Sequence, residues 1–313
     1  MSTFLKMWSN PKLRFSIFSK YGFYNKMDDK KYIEKAYKIY MGTELDLESP
    51  KTFSEKLQWL KLNDRNPLYS KLVDKYEVRK YISDKIGEKH LIPLLGVWNN
   101  FEDVCFDKLP NQFVLKCTHD SGGLVICRDK SKLNIEAAKK KIKNSYKRKY
   151  YYSGREWPYK NVKPRIIAEK YMVDEKADDL VDYKFYCFNG NVDNVMLCTG
   201  RQKGDLQFYF FDMDWNLLRI NGCGKRAPDN FTLPKPEGLE EMVRIARKLS
   251  ENIPFVRVDL YHVNGRIYFG EMTFFPASGF GHNLLPETDA DFGKKLSLNI
   301  KEKNNENCSF RER

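Results

Sequence analysis

Near the C-terminal end, the stretch PFVRVDLYHVNGRIYFGEMTFFP carries two acids, Asp259 and Glu271, on opposite arms of a hairpin. Asn264-Gly265 supplies the positive φ angles of a type I′ turn, and aromatic and β-branched residues flank it. Pairing 258–262 against 266–269 brings the two acids back together, within reach of one hard cation. Magnesium takes few protein carboxylates and completes its octahedron with water and phosphate oxygens. Two acids beside Thr273, with Arg257 close by, therefore suit a nucleotide–magnesium site. On these residues alone, a pair of exposed acids on a sheet edge is the competing reading.

A second group of residues lies in FVLKCTHDSGGLVICRDK, a strand, a polar glycine-bearing loop and a second strand. Gly122 and Gly123 let a ligand approach the backbone, Ser121 and Thr118 add hydroxyl donors, and His119 and Lys116 can face phosphate. The spacing matches neither a Walker nor a Rossmann loop, and Ser-Gly-Gly tips also occur in ordinary hairpins. In RIIAEKYM, an apolar strand runs into Glu169, Tyr171 and Met172, which suit an adenine slot or, equally, core packing. In DYKFYCFNG, Asp182 and Lys184 alternate onto one side of a strand, and a lysine facing inward requires an anion. Arg201, after Thr199-Gly200, either adds a contact to phosphate or carboxylate or lies at the surface.

The positioning elements are legible from caps and periodicity. Asp28-Asp29 opens a helix that Gly42 closes, Thr52-x-x-Glu55 is a capping box, and a segment around 74–86 ends at Gly87. Strands are expected at 91–97 and 112–116, and the lysine-rich run 137–149 is helix-compatible with a solvated face. From Pro164 the pattern is β, at 165–172, 182–188, 192–199, 206–211 and 255–269, with an amphipathic helix at 237–252. The class is α+β with mainly antiparallel sheet. The organisation expected is a helical N-terminal region and arm (1–90), a nucleotide lobe with a phosphate flap (91–172), a C-terminal lobe with the metal site (173–300) and a frayed tail (301–313).

A chain of 313 residues can bury a sizeable core, and a formal charge of +13 points to an anionic partner. Nucleic acid is disfavoured, because the chain lacks an aromatic RNA-binding motif and a recognition-helix signature. Seven scattered cysteines without a C-x-x-C pair suit reduced thiols in the cytoplasm. The N-terminal MSTFLKMWSNPKLRFSIFSKYGF interleaves Phe4, Leu5, Trp8, Leu13, Phe15 and Phe18 with basic residues, as either a peripheral membrane contact or a packed arm would. Pro11 interrupts any single long helix there.

Taken in order, DKYEVRKYI, FVLKCTHDSGG, IIAEKYM, DYKFYCFNG and FVRVDLY…IYFGEMTFFPASGFGHN resemble the ATP-grasp superfamily, and specifically its TupA-like branch from bacterial surface-polysaccharide loci. The resemblance runs from about Lys51 to Leu296. It implies ATP held between two α+β lobes with Mg2+ between the phosphates and acidic residues of the last sheet. Lys116 then matches the lysine ending a nucleotide-lobe strand, Ser121-Gly122-Gly123 the closing loop, and Glu169 and Met172 the adenine-side hinge. Lys184 resembles the lysine near the terminal phosphate, Asp259 and Glu271 the metal carboxylates, and Arg257 their neighbour beside the phosphates. Asp74-Lys75 and Arg79 also fit a family pattern. Thr273 stands where the superfamily often has asparagine, which bears on a second metal contact.

The family chemistry is phosphorylation of a carboxylate to an acyl phosphate, which an amine then attacks. His282, within PASGFGHN, either contacts the acceptor, helps deprotonate the amine, or makes ordinary loop hydrogen bonds. The polysaccharide context implies a uronic acid of an acidic glycan, or a nucleotide-linked one, with an amino acid or amino alcohol as amine. A glycosyltransferase and an ATP-dependent sugar kinase remain as alternatives.

Overall fold

The computed structural model describes residues 9–174, 180–200, 205–281 and 284–298. Several of its helices begin or end where short polar residues or glycines stand. Asn10 caps α1 (Pro11–Lys20) by accepting from the Leu13 N–H, and Pro11 occupies the first turn, where its missing N–H costs nothing. Pro11 thus starts a helix. α2 (Asp29–Met41) runs from the Asp28 cap to Gly42 at φ 84°. α3 (Phe53–Asn63) carries the Thr52/Glu55 capping box, and α4 (Pro67–Val73) leads to α5 (Val78–Ile86), which Gly87 ends.

The chain then forms β1 (Leu94–Trp98), β2 (Phe113–Cys117), β3 (Leu124–Cys127), α6 (Ile135–Tyr146), the single turn α7 (Tyr151–Gly154) and β4 (Ile166–Lys170). These strands make an antiparallel sheet in the order β1-β4-β2-β3. Phe113, Leu115, Ile166 and Ala168 alternate onto its buried face, where Ala138 and Ile142 of α6 cover them.

A second sheet is built from β5 (Asp182–Phe188), β6 (Asn191–Thr199), β7 (Gln207–Phe211) and β8 (Leu217–Leu218). After α8 (Gly222–Arg226) and α9 (Leu239–Ser250), it is completed by β9 (Phe255–Val263) and β10 (Arg266–Thr273), and α10 (Pro286–Lys295) follows. Its order is β10-β9-β5-β6-β7-β8, antiparallel throughout. Both Asn-Gly turns have the positive φ pair that a tight hairpin needs, 50° and 80° at Asn189-Gly190 and 50° and 74° at Asn264-Gly265.

α9 packs along β5 and β9 with Leu239, Met242, Ile245, Ala246 and Leu249 buried. Burying each of the larger ones is worth about 1.5–3 kcal/mol. On the opposite face, Phe188 and Phe255 meet Phe53 of α3 and Phe292 of α10, with ring centroids 4.8–5.7 Å apart. Strand alternation puts Lys184, Arg257 and Asp259 on that same face, one and two steps beyond the aromatic cluster. The site therefore stands directly above a packed core.

In the N-terminal region Phe15 packs on Tyr24 and Tyr32, so this part of the arm is packed, whereas Leu13, Tyr21 and Phe23 are exposed. Phe4, Leu5, Trp8 and the tail 301–313 lie outside the described residues. Among the described residues, no helix is long and apolar enough to cross a membrane, and Cys105, Cys117, Cys127, Cys187 and Cys223 are free thiols.

Candidate active site

The β9–β10 hairpin delivers both acids to one face through a bulge. Phe269 pairs with Leu260, yet Glu271 pairs with Asp259, so Gly270 is an extra residue in β10. Were Gly270 paired regularly with Asp259, Glu271 would lie opposite Val258 and point into the core. A methyl group at Gly270 would stand 3.0 Å from both the Asp259 carbonyl oxygen and the Tyr261 ring, which accounts for glycine here.

Lys184 of β5 lies opposite Asp259. Its ammonium ion-pairs with the Asp259 carboxylate and with Asp182 at 2.5 Å, so the anion required by an inward lysine is a pair of side chains. Arg257 grips Asp259 with two parallel bonds of 2.6 and 2.7 Å, then reaches Thr273 Oγ1 at 3.0 Å and Glu271 Oε1 at 3.3 Å. Burial pushes the Asp259 carboxyl towards its neutral form, but the charges of Arg257 and Lys184 outweigh that and hold its pKa below the usual range. Burial, reinforced by the charge of Asp259, raises the pKa of Asp182.

Asp259, Glu271 and Thr273, read from the sequence as magnesium ligands, share one sheet face, and because both Asp259 oxygens are taken by Arg257 and Lys184, a magnesium ion arriving with nucleotide would first meet Glu271. Two carboxylates and a hydroxyl are too few for a standing cage, and no cluster of three or more His, Cys, Asp or Glu suited to a metal occurs among the described residues. Magnesium bound mainly through substrate phosphates needs no more. Glu271, with 46% of its side chain exposed and one long contact to Arg257, is the acid best placed to receive a cation.

The first sheet contributes a second charged group. Lys116 of β2 pairs with Glu169 of β4 at 2.6 Å, and Arg79 of α5 reaches the same carboxylate at 3.3 Å. Glu169 is 6% exposed, so in this state it anchors two cations rather than lining an open slot. Tyr171 and Met172, just past β4, do line one. With Val173, Val263, Arg266 and Tyr268 they border a cavity of about 320 Å³ between the end of β4 and the tip of the β9–β10 hairpin.

The β2–β3 loop is divided. Ser121 and Gly122 are exposed, Gly122 at φ 91° with open space around it, as a closing loop needs. Its base is fixed. The Asp120 carboxylate accepts from the Ser145 hydroxyl, Lys75 Nζ donates to the Asp120 carbonyl oxygen, and a methyl at Gly123 would overlap Ser145. The reading of His119 as a phosphate ligand is corrected here. The ring is 4% exposed and its Nε2 meets the Arg148 carbonyl oxygen at 3.1 Å, because the end of α6 packs over this part of the loop. Arg201 and His282 lie outside the described residues.

Sequence reasoning missed Asp120, Ser145, Lys61 and Glu156. These pairs join positions 25 and 95 residues apart, and no local spacing announces them.

The family model for TupA-like ATPgrasp matches residues 55–297, most of the chain. The chain belongs to the TupA-like ATP-grasp family. As a member it is an ATP-dependent ligase with the α+β ATP-grasp fold. No curated protein matches it. Among solved structures, this TupA-like chain is similar to D-alanine–D-alanine ligase from Helicobacter pylori at 15% identity and TM-score 0.39, over 79% of this chain and 70% of that one. It is similar to the ATP-grasp ligase PsnB in complex with a minimal precursor at 13% and 0.39, over 78% and 68%. For an L-amino acid ligase from Bacillus licheniformis the values are 13% and 0.43, over 82% of this chain and only 57% of that one.

Lys116→Ala in this TupA-like protein is expected to raise the Kd for ATP at least tenfold, the scale of one charge-assisted contact of about 1.5–3 kcal/mol. Isothermal titration with ATP checks it, and an unchanged affinity would remove Lys116 from the nucleotide site.

Proposed function

We propose that this ligase joins a carboxylate to an amine through an acyl phosphate, with a uronic acid of a bacterial surface polysaccharide, or its nucleotide- or lipid-linked precursor, as the carboxylate. The observation that carries the reading is the pairing of Asp259 and Glu271 on one sheet face beside Lys184 and Arg257. That set is what transfer between anions demands.

An acceptor carboxylate oxygen attacks the γ-phosphorus as the bond to the bridging oxygen of ADP breaks. An amine nitrogen then attacks the acyl carbon, phosphate leaves, and the surplus amine proton passes to solvent or phosphate. The chain's own residues make the first step feasible by lowering the repulsion between the incoming carboxylate and the triphosphate. Lys75 and Lys116 supply positive charge from one side, Lys184 and Arg257 from the other. Asp259, Glu271 and Thr273 would hold the magnesium ion, which would supply further neutralisation of phosphate charge. The Ser121-Gly122 tip covers the phosphates, and the cavity bordered by Tyr171, Met172 and Tyr268 takes the adenine.

An acidic glycan is favoured by the formal charge of +13 and by exposed Lys147, Arg148, Lys149, Lys160 and Lys163 on one connecting segment. An amino acid or amino alcohol completes the amide.

Incubating the protein with ATP, Mg2+, uronic acids and hydroxylamine is the test, with nucleotide and acyl products read by mass spectrometry. Acceptor-dependent ADP together with a hydroxamate is the expected result. ADP with a phosphorylated sugar and no hydroxamate would replace the reading by a kinase, and transfer from a sugar nucleotide would replace it by a glycosyltransferase.

A further inference from the structure

α1 is apolar on two opposite faces, and the body of the protein uses one of them. Phe15 and Ser19, one helical turn apart, share the inner face. The Phe15 ring is buried against Tyr24, Tyr32 and Tyr40 with centroids 5.0–5.8 Å apart, and the Ser19 and Tyr32 hydroxyls are hydrogen-bonded at 3.0 Å. The outer face carries Leu13, Ile17 and Tyr21, each four residues from the next and so aligned in one row, with Arg14 and Lys20 on its two flanks. The helix end turns more apolar surface outward. Gly22, at φ 81°, and Phe23 return their N–H groups to the Ser19 and Phe18 carbonyl oxygens at 3.1 and 3.0 Å. That motif sets Phe23 beside Phe18, ring centroids 4.9 Å apart, yet leaves Phe23 72% exposed, and Tyr21 is 74% exposed. No other large apolar side chain among the described residues is as exposed as these two. A lone exposed ring needs no explanation, whereas a row of apolar side chains on a firmly seated helix marks an interaction surface.

The charge around that face has one sign. Residues 9–26 contain Lys12, Arg14, Lys20 and Lys26 and no acid. The next acids are engaged elsewhere, Asp28 accepting from the Lys31 N–H at 3.1 Å and Asp29 pairing with Arg155 at 3.5 Å and accepting from the Tyr151 hydroxyl. α1 packs on α7, and Lys147, Arg148 and Lys149 are exposed just before that turn. A second copy of the chain docked by a two-fold contact would set these cations against their own image, which is repulsive. An apolar row flanked by cations instead matches the boundary between acyl chains and anionic headgroups, where rings sit at headgroup depth and lysine and arginine stems extend to phosphate.

We propose that the outer face of α1, with Leu13, Ile17, Tyr21 and the following Phe23, is a contact for an anionic phospholipid surface, the helix lying in the plane of the interface. Ten residues are too few to span a bilayer and the inner face is already packed, so the attachment is peripheral and reversible. It does not depend on which carboxylate the ligase activates.

Flotation of the full chain with vesicles of phosphatidylglycerol and phosphatidylcholine, and with vesicles of phosphatidylcholine alone, tests it. The parent should float with the anionic vesicles and stay behind with the neutral ones. The double variant Leu13→Gln, Tyr21→Gln keeps every cation and changes only outward-facing residues, so its melting temperature should equal that of the parent. Its partitioning into anionic vesicles should fall at least about tenfold. If the pair melts early, Tyr21→Gln alone carries the test, with an expected loss of about threefold. A parent that floats with neither vesicle overturns the proposal. So does a variant that binds anionic vesicles as tightly as the parent, since charge elsewhere on the chain would then account for attachment. Sedimentation equilibrium without lipid addresses the other occupant. A parental dimer that the substitutions dissociate would assign the face to a second copy and overturn the lipid contact, whereas monomers in both agree with it.

Discussion

Glu271→Gln is expected to reduce turnover about a thousandfold, because losing a metal carboxylate forfeits several kcal/mol of charge stabilisation in the transition state, and about 4 kcal/mol is three decades in rate. The fold should survive. Glu271 keeps 46% of its side chain exposed, and its contact with Arg257 is 3.3 Å long. Glutamine has the same shape and can still accept that bond, so stability should move by no more than the small amounts typical of exposed ion pairs. Steady-state kinetics beside a melting curve separate the two effects. A variant with parental kcat would remove Glu271 from the metal set.

Asp259 answers differently, since its carboxylate holds the site together before any ligand enters. It is 1% exposed and binds both Lys184 and Arg257. Asp259→Asn leaves two buried cations short of a counter-charge, an imbalance that costs about 3–5 kcal/mol. Urea denaturation should show that loss together with a change in acid sensitivity. Because the carboxyl is held below its ordinary pKa in the folded state, its contribution is complete above the ordinary carboxylate range and disappears as pH falls through the depressed value. The asparagine variant should lack that acid limb. Asp182, raised by burial, works in the opposite sense, while the surface carboxylates Glu102, Asp129 and Asp291 are also held low and keep their share in the variant, so the difference between parent and variant is the part that belongs to Asp259. Equal stability of parent and variant at neutral pH would show that the network is not what secures Lys184 and Arg257.

Much of this was legible in the chain because local physics wrote it. Thr52 and Glu55 cap a helix by their own side chains, Asn264-Gly265 permits one kind of turn, and 182–188 forms β5 over the range that its alternation predicts. Lys184, Asp259 and Glu271 were legible as charged groups in strands, since strands flanked by aromatic and β-branched residues expose what alternates out of the core. The partners of each charge were not. Lys184 meets Asp259 across 75 residues, and Lys116 meets Glu169 across 53, so only the tertiary register pairs them. His119 reads as a loop ligand by its neighbours Ser121 and Gly122, and only the docking of α6 buries it. The segment carrying Glu156 has neither strand nor long-helix periodicity, so the hydrogen bond it accepts from Ser278, just past β10, left no mark in the sequence.

The bulge at Gly270 has a consequence for how such a pocket is gauged. Along β10 the cleft-facing positions run Tyr268, Glu271, Thr273, a stride of three followed by a stride of two, because Tyr268 pairs with Tyr261 on the same side as Asp259. The offset between the wall at the hairpin tip and the acid at its base is therefore set by main chain. Side-chain replacement can retouch either end of that ruler but cannot change its length. Losing Gly270 would shorten it while leaving Glu271 opposite Asp259, whereas a ladder running regularly through Gly270 would turn Glu271 inward and Met272 outward in a single step.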